Sequence, residues 1–317
     1  MNDERFDVLV VGELNVDLIL NQIDSFPEMG KEKLAQKMNL LLGSSSAIFA
    51  CNLSSLGAKV AFLGKIGNDA FGDLIMDSLK AKGVNTDFVI RDPKVNSGAT
   101  IVLNYNENRA MVTYQGAMNE LTINDITKEK LSLAKHLHFS SLYLQPGIKP
   151  DIEKLFQMAK DQGLTTSLDM QWDPNEKWDM AYEKVLPLVD IFLPNEEELF
   201  NLTGQKNIED GLKILAPYAN QIVVKMGSKG SLLHSRMVIK FKESFLNKAV
   251  VDAIGAGDSF NSGYIYKFIN GSPLPECQEF GNLMGAVNTT AAGGTTAFTN
   301  HDYIMKTARE KFGVSLQ

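Results

Sequence analysis

From Gly255 to Asp258 the chain reads Gly-Ala-Gly-Asp, and a helical run, Ser259–Ile269, follows at once. Two glycines remove side chains where the backbone turns into a helix, so main-chain amides can come close to a ligand. A helix N-terminus carries unpaired N–H groups and a partial positive charge, which suits a phosphoryl group in transit. Asp258, in the first turn, has the chemistry to accept a proton from a hydroxyl attacking beside that phosphate. Taken alone, the string equally fits an ordinary helix start with an aspartate placed for the dipole.

Other polar residues stand where a ligand could use them. Asn15 and Asp17 are two apart in an apolar run, so they share one strand face and make a fork for a diol. In Pro194-Asn195-Glu196-Glu197-Glu198, Asn195 and Glu198 can simply begin a helix over Glu196–Leu202, Asn195 as its cap and Glu198 placed for the dipole. His136, His138, His234 and His301 show no metal-ligand spacing. Trp172 and Trp178 flank a polar loop, and nothing in the sequence fixes their role.

These residues need elements to hold them. Asp7–Val11 is a short apolar run ending at Gly12, and similar runs recur at Val60–Leu63, Leu137–Phe139, Thr165–Leu168, Ile191–Leu193 and Ile222–Val224. Amphipathic stretches lie between several of them: Ala47–Leu56, Phe71–Lys82 stopping at Gly83, and Ile152–Gln162 stopping at Gly163. Strands alternating with helices predict an α/β protein, a mostly parallel, doubly wound sheet covered on both faces, three layers in all. Two stretches break the rhythm. Val16–Leu20 and Met38–Leu42 flank a connection with Pro27 and Gly30, and Ala99–Tyr105 and Met111–Tyr114 flank a hairpin turn at Asn106-Glu107-Asn108. Four strands without intervening helices suit a small antiparallel sheet projecting from the main one.

Bulk properties narrow the function. With 38 acidic against 31 basic residues, a net charge of −7 and no Lys/Arg cluster, nucleic acid is not an expected partner. Cys51 and Cys277 are the only cysteines, which fits neither a disulfide framework nor a metal site and points to a reducing cytoplasm. No apolar run approaches the roughly 20 residues of a membrane span, and the acidic start Met1-Asn2-Asp3-Glu4-Arg5 is unlike a signal peptide. The expectation is a soluble protein that is not exported. A dinucleotide-dependent oxidoreductase would need a glycine-rich turn after its first strand, and Gly12-Glu13-Leu14-Asn15 lacks one.

Several segments together resemble the ribokinase-like (phosphofructokinase-B type) carbohydrate kinases. Gly12-Glu13-Leu14-Asn15-Val16-Asp17 resembles the family's opening strand, and Gly43-Ser44-Ser45-Ser46 through Leu56-Gly57 its glycine-rich first signature. Leu63-Gly64-Lys65-Ile66-Gly67-Asn68-Asp69-Ala70-Phe71-Gly72 matches the continuation, Asn195-x-x-Glu198 the magnesium and phosphate pattern, and Lys225-Met226-Gly227-Ser228-Lys229-Gly230 the nucleotide-binding turn. Asp252 to Asp258 is similar to the second signature, which ends in the catalytic Asp. The matches run in family order from Gly12 to about Gly294. Three positions depart from the pattern: Ser44 and Ile48 stand where the first signature has Gly and Asn, and Ala253 where the second has Thr. Lys225 replaces the Thr of ribokinase itself.

The resemblance implies a ribokinase-like fold, with residues 1–13, 43–96 and 118–317 as the α/β nucleotide- and substrate-binding domain and 14–42 and 97–117 as a β-lid. It implies transfer of the γ-phosphoryl of ATP, with Mg2+, to a hydroxyl of a small sugar or sugar acid of the ribose, fructose or keto-deoxy sugar acid class. Asp258 would be the base, with the amides of Gly255, Ala256 and Gly257 stabilising the transferring charge. Asn15, Asp17, Gly43, Ser44 and Asp258 would meet the sugar. Asn195, Lys225, Gly227, Gly230, Gly255, Gly257 and Asn282 would line the nucleotide, and Asn195 and Glu198 would organise magnesium through water. Some relatives also hold a monovalent cation such as K+ near Asp252. A nucleoside or sugar-phosphate kinase of the same fold, or a non-catalytic sensor of sugars or nucleotides, remains the alternative. Near the lid, Lys31, Lys33, Lys37 and Arg109 form no Arg pair for a second phosphate, which favours an unphosphorylated substrate. Apolar residues on both lid faces, such as Leu18, Leu20, Ile101 and Leu103, predict a homodimer through the lid.

Overall fold

The structure, a computed structural model, describes residues 5–105 and 108–314. In chain order the strands of the first half are β1 (Phe6–Val11), β2 (Asn15–Ile23), β3 (Ala35–Leu42), β4 (Val60–Leu63), β5 (Lys65–Gly67), β6 (Ile90–Asp92), β7 (Gly98–Tyr105) and β8 (Asn108–Tyr114). Those of the second half are β9 (Ala134–Ser140), β10 (Thr165–Asp169), β11 (Ile191–Phe192), β12 (Gln221–Lys225), β13 (Ser231–Ser235) and β14 (Ile239–Lys242). The early helices are α1 (Ser45–Ser55), α2 (Ala70–Ala81), α3 (Lys128–Ser132), α4 (Ile152–Asp161) and α5 (Tyr182–Val185). They are followed by α6 (Glu196–Thr203), α7 (Ile208–Leu215), α8 (Ala256–Ile269), α9 (Leu274–Asn288) and α10 (His301–Phe312).

Eight strands form the main sheet in the order β14-β13-β12-β11-β10-β9-β1-β4. From β4 to β12 all neighbours are parallel, while β13 and β14 extend the edge as antiparallel ribs. Alternation along a strand sends its side chains to opposite faces, and β1 does this with residues that are apolar on both. Val8 and Val10 join a core with Phe49, Leu53, Phe62 and Tyr264, under α1, α2 and α8. Leu9 and Val11 join a second core with Phe139, Leu155, Phe156 and Leu168, under α4 and α6. A strand buried on both sides reads as a continuous apolar run, which is why the sequence showed these strands so plainly. Helix α1 is likewise buried almost all round, because it is packed between the sheet and α8, and its buried Ser46 and Asn52 are hydrogen-bonded there.

A separate four-stranded sheet has the order β3-β2-β7-β8. The outer pairs are antiparallel, as the sequence predicts, but the central pair β2/β7 is parallel. The two outer pairs come from distant segments, and the chain re-enters the sheet in its original direction after passing through β4, α2 and β6. Of the expected hairpin turn, residues 106 and 107 lie outside the described residues, and Asn108 begins β8. Among the described residues no helix is long and apolar enough to cross a membrane.

Candidate active site

Ligands of open parallel sheets gather beyond the carboxyl ends of the strands. Those ends here carry Glu13 just after β1, Asp169 at the end of β10, Asn195 after β11 and Lys225 at the end of β12. Asp258 faces them from the first turn of α8.

The ends form one buried charge network. Lys225 Nζ lies 2.6 Å from Asp169 Oδ2, with the Asp169 side chain fully buried. Asn261 of α8 donates to the same oxygen, and Gln171 Nε2 bridges Asp169 Oδ2 at 3.0 Å and Asp258 Oδ1 at 3.1 Å. Burial, then the neighbouring charge of Asp169, pushes the Asp258 carboxyl well above the usual carboxylate range, against the pull of Lys225. Burial also lifts Glu198, together with Asp169, to about 7. Burial alone would lower Lys225, but Asp169 and Glu198 outweigh it and hold the ammonium above its ordinary value.

Asn195 caps α6 as expected, and Glu198 does more than face the dipole, because it bonds back to the cap residue. Glu198 N donates to Asn195 Oδ1 at 2.8 Å, while Asn195 N and Nδ2 donate to the two Glu198 oxygens at 3.0 and 2.7 Å. The cap and the site therefore coincide, since Glu198 is buried and shares its field with Asp169 and Lys225.

Gly255 caps α8 in the left-handed region, φ 75°. A Cβ there would stand 2.7 Å from Gly294 Cα, so only glycine fits. Ile48 packs against both Gly255 and Gly294. The polar anchor lies one turn further on, where Asn52 Nδ2 donates to Gly294 O and to Ser259 Oγ, both at 2.9 Å. Both carboxylate oxygens of Asp252 accept main-chain N–H groups at 2.9 Å, from Ile254 and from Gly293. Its carboxylate ties two loops together and stands apart from the Asp169 network.

Beside Gly257 opens a cavity of about 300 Å³. It collects Lys225, Gly227, Gly230, Gly257 and Asn282, with Phe245, Leu246, Val250 and Phe260 as apolar wall. Asn282 Nδ2 holds the Lys242 and Glu243 carbonyls at 3.3 and 3.2 Å, which fixes the orientation of its amide. A second cavity of similar volume, between Asp69, Ser97 and Tyr114, contains none of the expected residues.

On the small sheet, Asn15 Nδ2 lies 3.1 Å from both Asp17 Oδ1 and Thr100 Oγ1. Burial raises Asp17 to about 6, opposed by the Asn15 bond and the charge of Arg109. A Cβ on Gly43 would come within 2.3 Å of Asp17 Oδ1, so glycine is required for this approach. Two residues later, the Ser45 side chain faces Asp258 and favours its charged form. Three consecutive residues thus run from beside Asp17 to beside Asp258. Ser44, between them, adopts φ 68°; its hydroxyl donates to Glu13 O at 2.6 Å and caps Ala47 N at 2.9 Å. Its hydroxyl is committed inside the protein.

Sequence reasoning missed Glu13, Asp169, Gln171 and Asn261. Glu13 is buried, bonded by Ser46 and by Ser141 at 2.9 Å. Asp169 had a signal, being the polar residue that ends an apolar strand run. Gln171 had none, because its position depends on a left-handed backbone, φ 59°. The loop that follows is held by Asp173, whose buried carboxylate accepts the N–H groups of Asn175, Lys177 and Trp178. Trp172, half exposed, stands edge-on to buried Trp178 at 5.1 Å.

The model of the pfkB family carbohydrate kinases matches residues 5–301. The 5-dehydro-2-deoxygluconokinase of Geobacillus thermodenitrificans is 26% identical over 94% of this chain and 91% of its own. The 2-dehydro-3-deoxygluconokinase of Bacillus subtilis is 29% identical over 80% of this chain and 82% of its own. Among solved structures, Arabidopsis thaliana ribokinase complexed with ribose and ATP superposes with a TM-score of 0.83 at 23% identity, covering 96% of this chain and 99% of that one. A charge network at the strand ends, a glycine-capped helix bearing Asp258 and a family match over nearly the whole length agree: the chain belongs to the pfkB family of carbohydrate kinases.

Proposed function

We propose that the protein transfers the γ-phosphoryl group of ATP, with Mg2+, to a hydroxyl of a small sugar or sugar acid, with Asp258 as the base. The observation that carries this reading is the placement of Asp258. It lies at the start of α8, between a cavity with the nucleotide-type residues and a three-residue link to Asp17. The sugar hydroxyl would give its proton to Asp258 as the phosphoryl group passes over the amides of Gly255, Ala256 and Gly257. Lys225, with Gly227, Gly230 and Asn282, would receive the nucleotide; the sugar would meet Asn15, Asp17 and Gly43.

The residues fit a magnesium ion held largely by nucleotide phosphates and water. Glu198 and Asn195 are already bonded to each other, and among the described residues no group of three or more His, Cys, Asp or Glu could hold a metal. Around Lys225, Asp169, Asp258 and Glu198 leave an excess of acid that a bound cation would offset. A potassium ion near Asp252 would have to rely on backbone carbonyls, because both oxygens of that carboxylate accept amides.

The register of the small sheet favours a sugar acid within this class. Asp17 pairs with Thr100, Thr100 with Thr113, and Asn104 with Arg109, so Arg109 shares a face with Asp17 and feels its charge. Arg109 is exposed, yet it stands on the side where a substrate carboxylate could meet it. The names of the two gluconokinase relatives point the same way. ADP release measured across sugars, sugar acids, sugar phosphates and nucleosides tests the proposal. Turnover led by a sugar phosphate or a nucleoside would overturn the substrate class, and none with any acceptor would favour a sensor.

The opposite face of the same sheet carries Leu18, Leu20, Met38, Leu40, Ile101 and Val112. Met38 is 66% and Val112 65% exposed. A face this apolar calls for a cover, and a second lid supplies one, giving a cytoplasmic homodimer. Cys51 and Cys277, both buried and free, suit that reducing compartment. A monomer in sedimentation at high micromolar concentration would exclude the dimer.

A further inference from the structure

We infer that Gln171 is a positioning residue for Asp258: one side-chain amide, aimed by a left-handed backbone, clamps the base to Asp169. The inference rests on Asp258 being the base, as proposed above. An amide NH2 group has two hydrogens, and Gln171 spends them on two carboxylates, 3.0 Å to Asp169 Oδ2 and 3.1 Å to Asp258 Oδ1. The two acids would otherwise meet in a buried region and repel. With Oδ1 held, the plane of the Asp258 carboxylate is set, and its second oxygen is the one available to take a hydroxyl proton.

The backbone supports this role. Gln171 has φ 59°, a conformation that glycine adopts freely and glutamine does not. Strain of this kind persists where the surroundings over-determine it. Met170 before it is fully buried and its carbonyl accepts Leu142 N, while Asp173 after it gathers three main-chain amides. The loop is built to keep one long amide turned back over the strand ends. The groups facing Asp258 are Asp169 from β10, Lys225 from β12, Glu13 after β1 and the Ser45 hydroxyl of α1, with Glu198 of α6 behind Lys225. Asp169 and Glu13 disfavour its charge. Lys225 and Ser45 favour it, as does the Gln171 amide.

Gln171→Gly tests this without a folding penalty at that position, since glycine is at ease at positive φ; Gln171→Glu keeps the shape and replaces the donors by a charge. The kcat and KM of both are measured across pH with the best acceptor from the substrate panel. In parallel the 13Cγ resonance of Asp258, recognised by its loss in Asp258→Asn, is titrated. Losing a hydrogen bond to a charged group should move the acid limb of kcat and the 13C midpoint upward by about one pH unit. For Gln171→Glu the shift should be larger, with KM for ATP unchanged in both. An intact midpoint and an unmoved acid limb in a folded Gln171→Gly protein overturn the inference. If Asp258→Asn keeps near-normal turnover, the base assignment falls instead. The 13C midpoint needs no turnover and still judges the Gln171 contact by itself.

Discussion

The two sides of the site are built from different materials. On the main-sheet side, Asp169, Lys225, Asp258 and Glu198 are ionisable groups brought together from four separate elements, with Lys225 paired to Asp169 and Gln171 bridging Asp169 and Asp258. On the small-sheet side, Asn15, Asp17, Thr100 and Thr113 form a short ladder of mostly neutral bonds on a sheet whose other face is open to solvent. The first side suits a reaction common to many acceptors, because displacing any member leaves a buried charge without its partner. The second suits discrimination, because neutral bonds at a half-buried surface can be exchanged at modest cost. On the function proposed above, chemistry and choice of substrate would fall to separate sheets, with Gly43-Ser44-Ser45 between them.

The sharpest test of that division is Asp258→Asn. General bases contribute typically ~10²–10⁴-fold, so turnover should fall by about that much with nearly unchanged ATP affinity in a binding titration. Near-normal turnover in a folded variant would remove the chemical side from the comparison. Lys225→Met should come next. Removing one partner of a buried pair costs about 3–5 kcal/mol, so its denaturation midpoint should drop markedly. A drop no greater than that of a surface lysine would show that the network is not structurally coupled.

Asp17→Asn should act on the other side, raising the sugar KM about tenfold or more while leaving that for ATP unchanged. Its stability effect has a definite sign. Asp17 titrates at about 6 in the fold against an ordinary 3.8, so the native protein holds this proton more tightly than the unfolded chain. Stability is therefore lost as pH rises from about 4 to 6, by about 2 kcal/mol. Asp17→Asn should melt higher than the wild type at pH 7–8, and the gap should close below pH 4. A constant gap would mean that Asp17 is not the strained acid. Ser44→Gly should show the smallest effect, within about 1 kcal/mol, because relief of the left-handed strain offsets the lost cap. A larger loss would make the link between the two sides a stabilising joint in its own right.

Much of this site was legible where local physics and position in the fold ask for the same residue. Asn195 and Glu198 read as a helix cap and occupy the site as one, and Gly255 reads as a turn and allows the close approach to Gly294. The buried strands declared themselves because both of their faces are apolar. Legibility failed where a feature depends on what lies beside it. That β2 and β7 run parallel follows from the path between them. The strand β13 alternates buried and half-buried residues around polar Ser231, His234 and Ser235, and gives no apolar run. Helix α8 starts at Ala256, three residues before the run that the sequence suggested, since a left-handed glycine can begin a helix without a side-chain cap. Asp169 and Gln171 gain their importance only when β10 is set beside β12 and beneath α8.

The loop leaving β10 also gives the protein an optical property. Its only two tryptophans are Trp172 and Trp178, one half in water and one buried against Tyr143, in edge-on contact with each other. Indole emission of the whole chain therefore arises from one short segment that begins next to the residue bonded to Asp258. A ligand that disturbs that segment will change the colour or yield of the light, and one seated elsewhere will leave it alone. Unlabelled protein in a cuvette is thus already a local spectroscopic reporter of events around the proposed base.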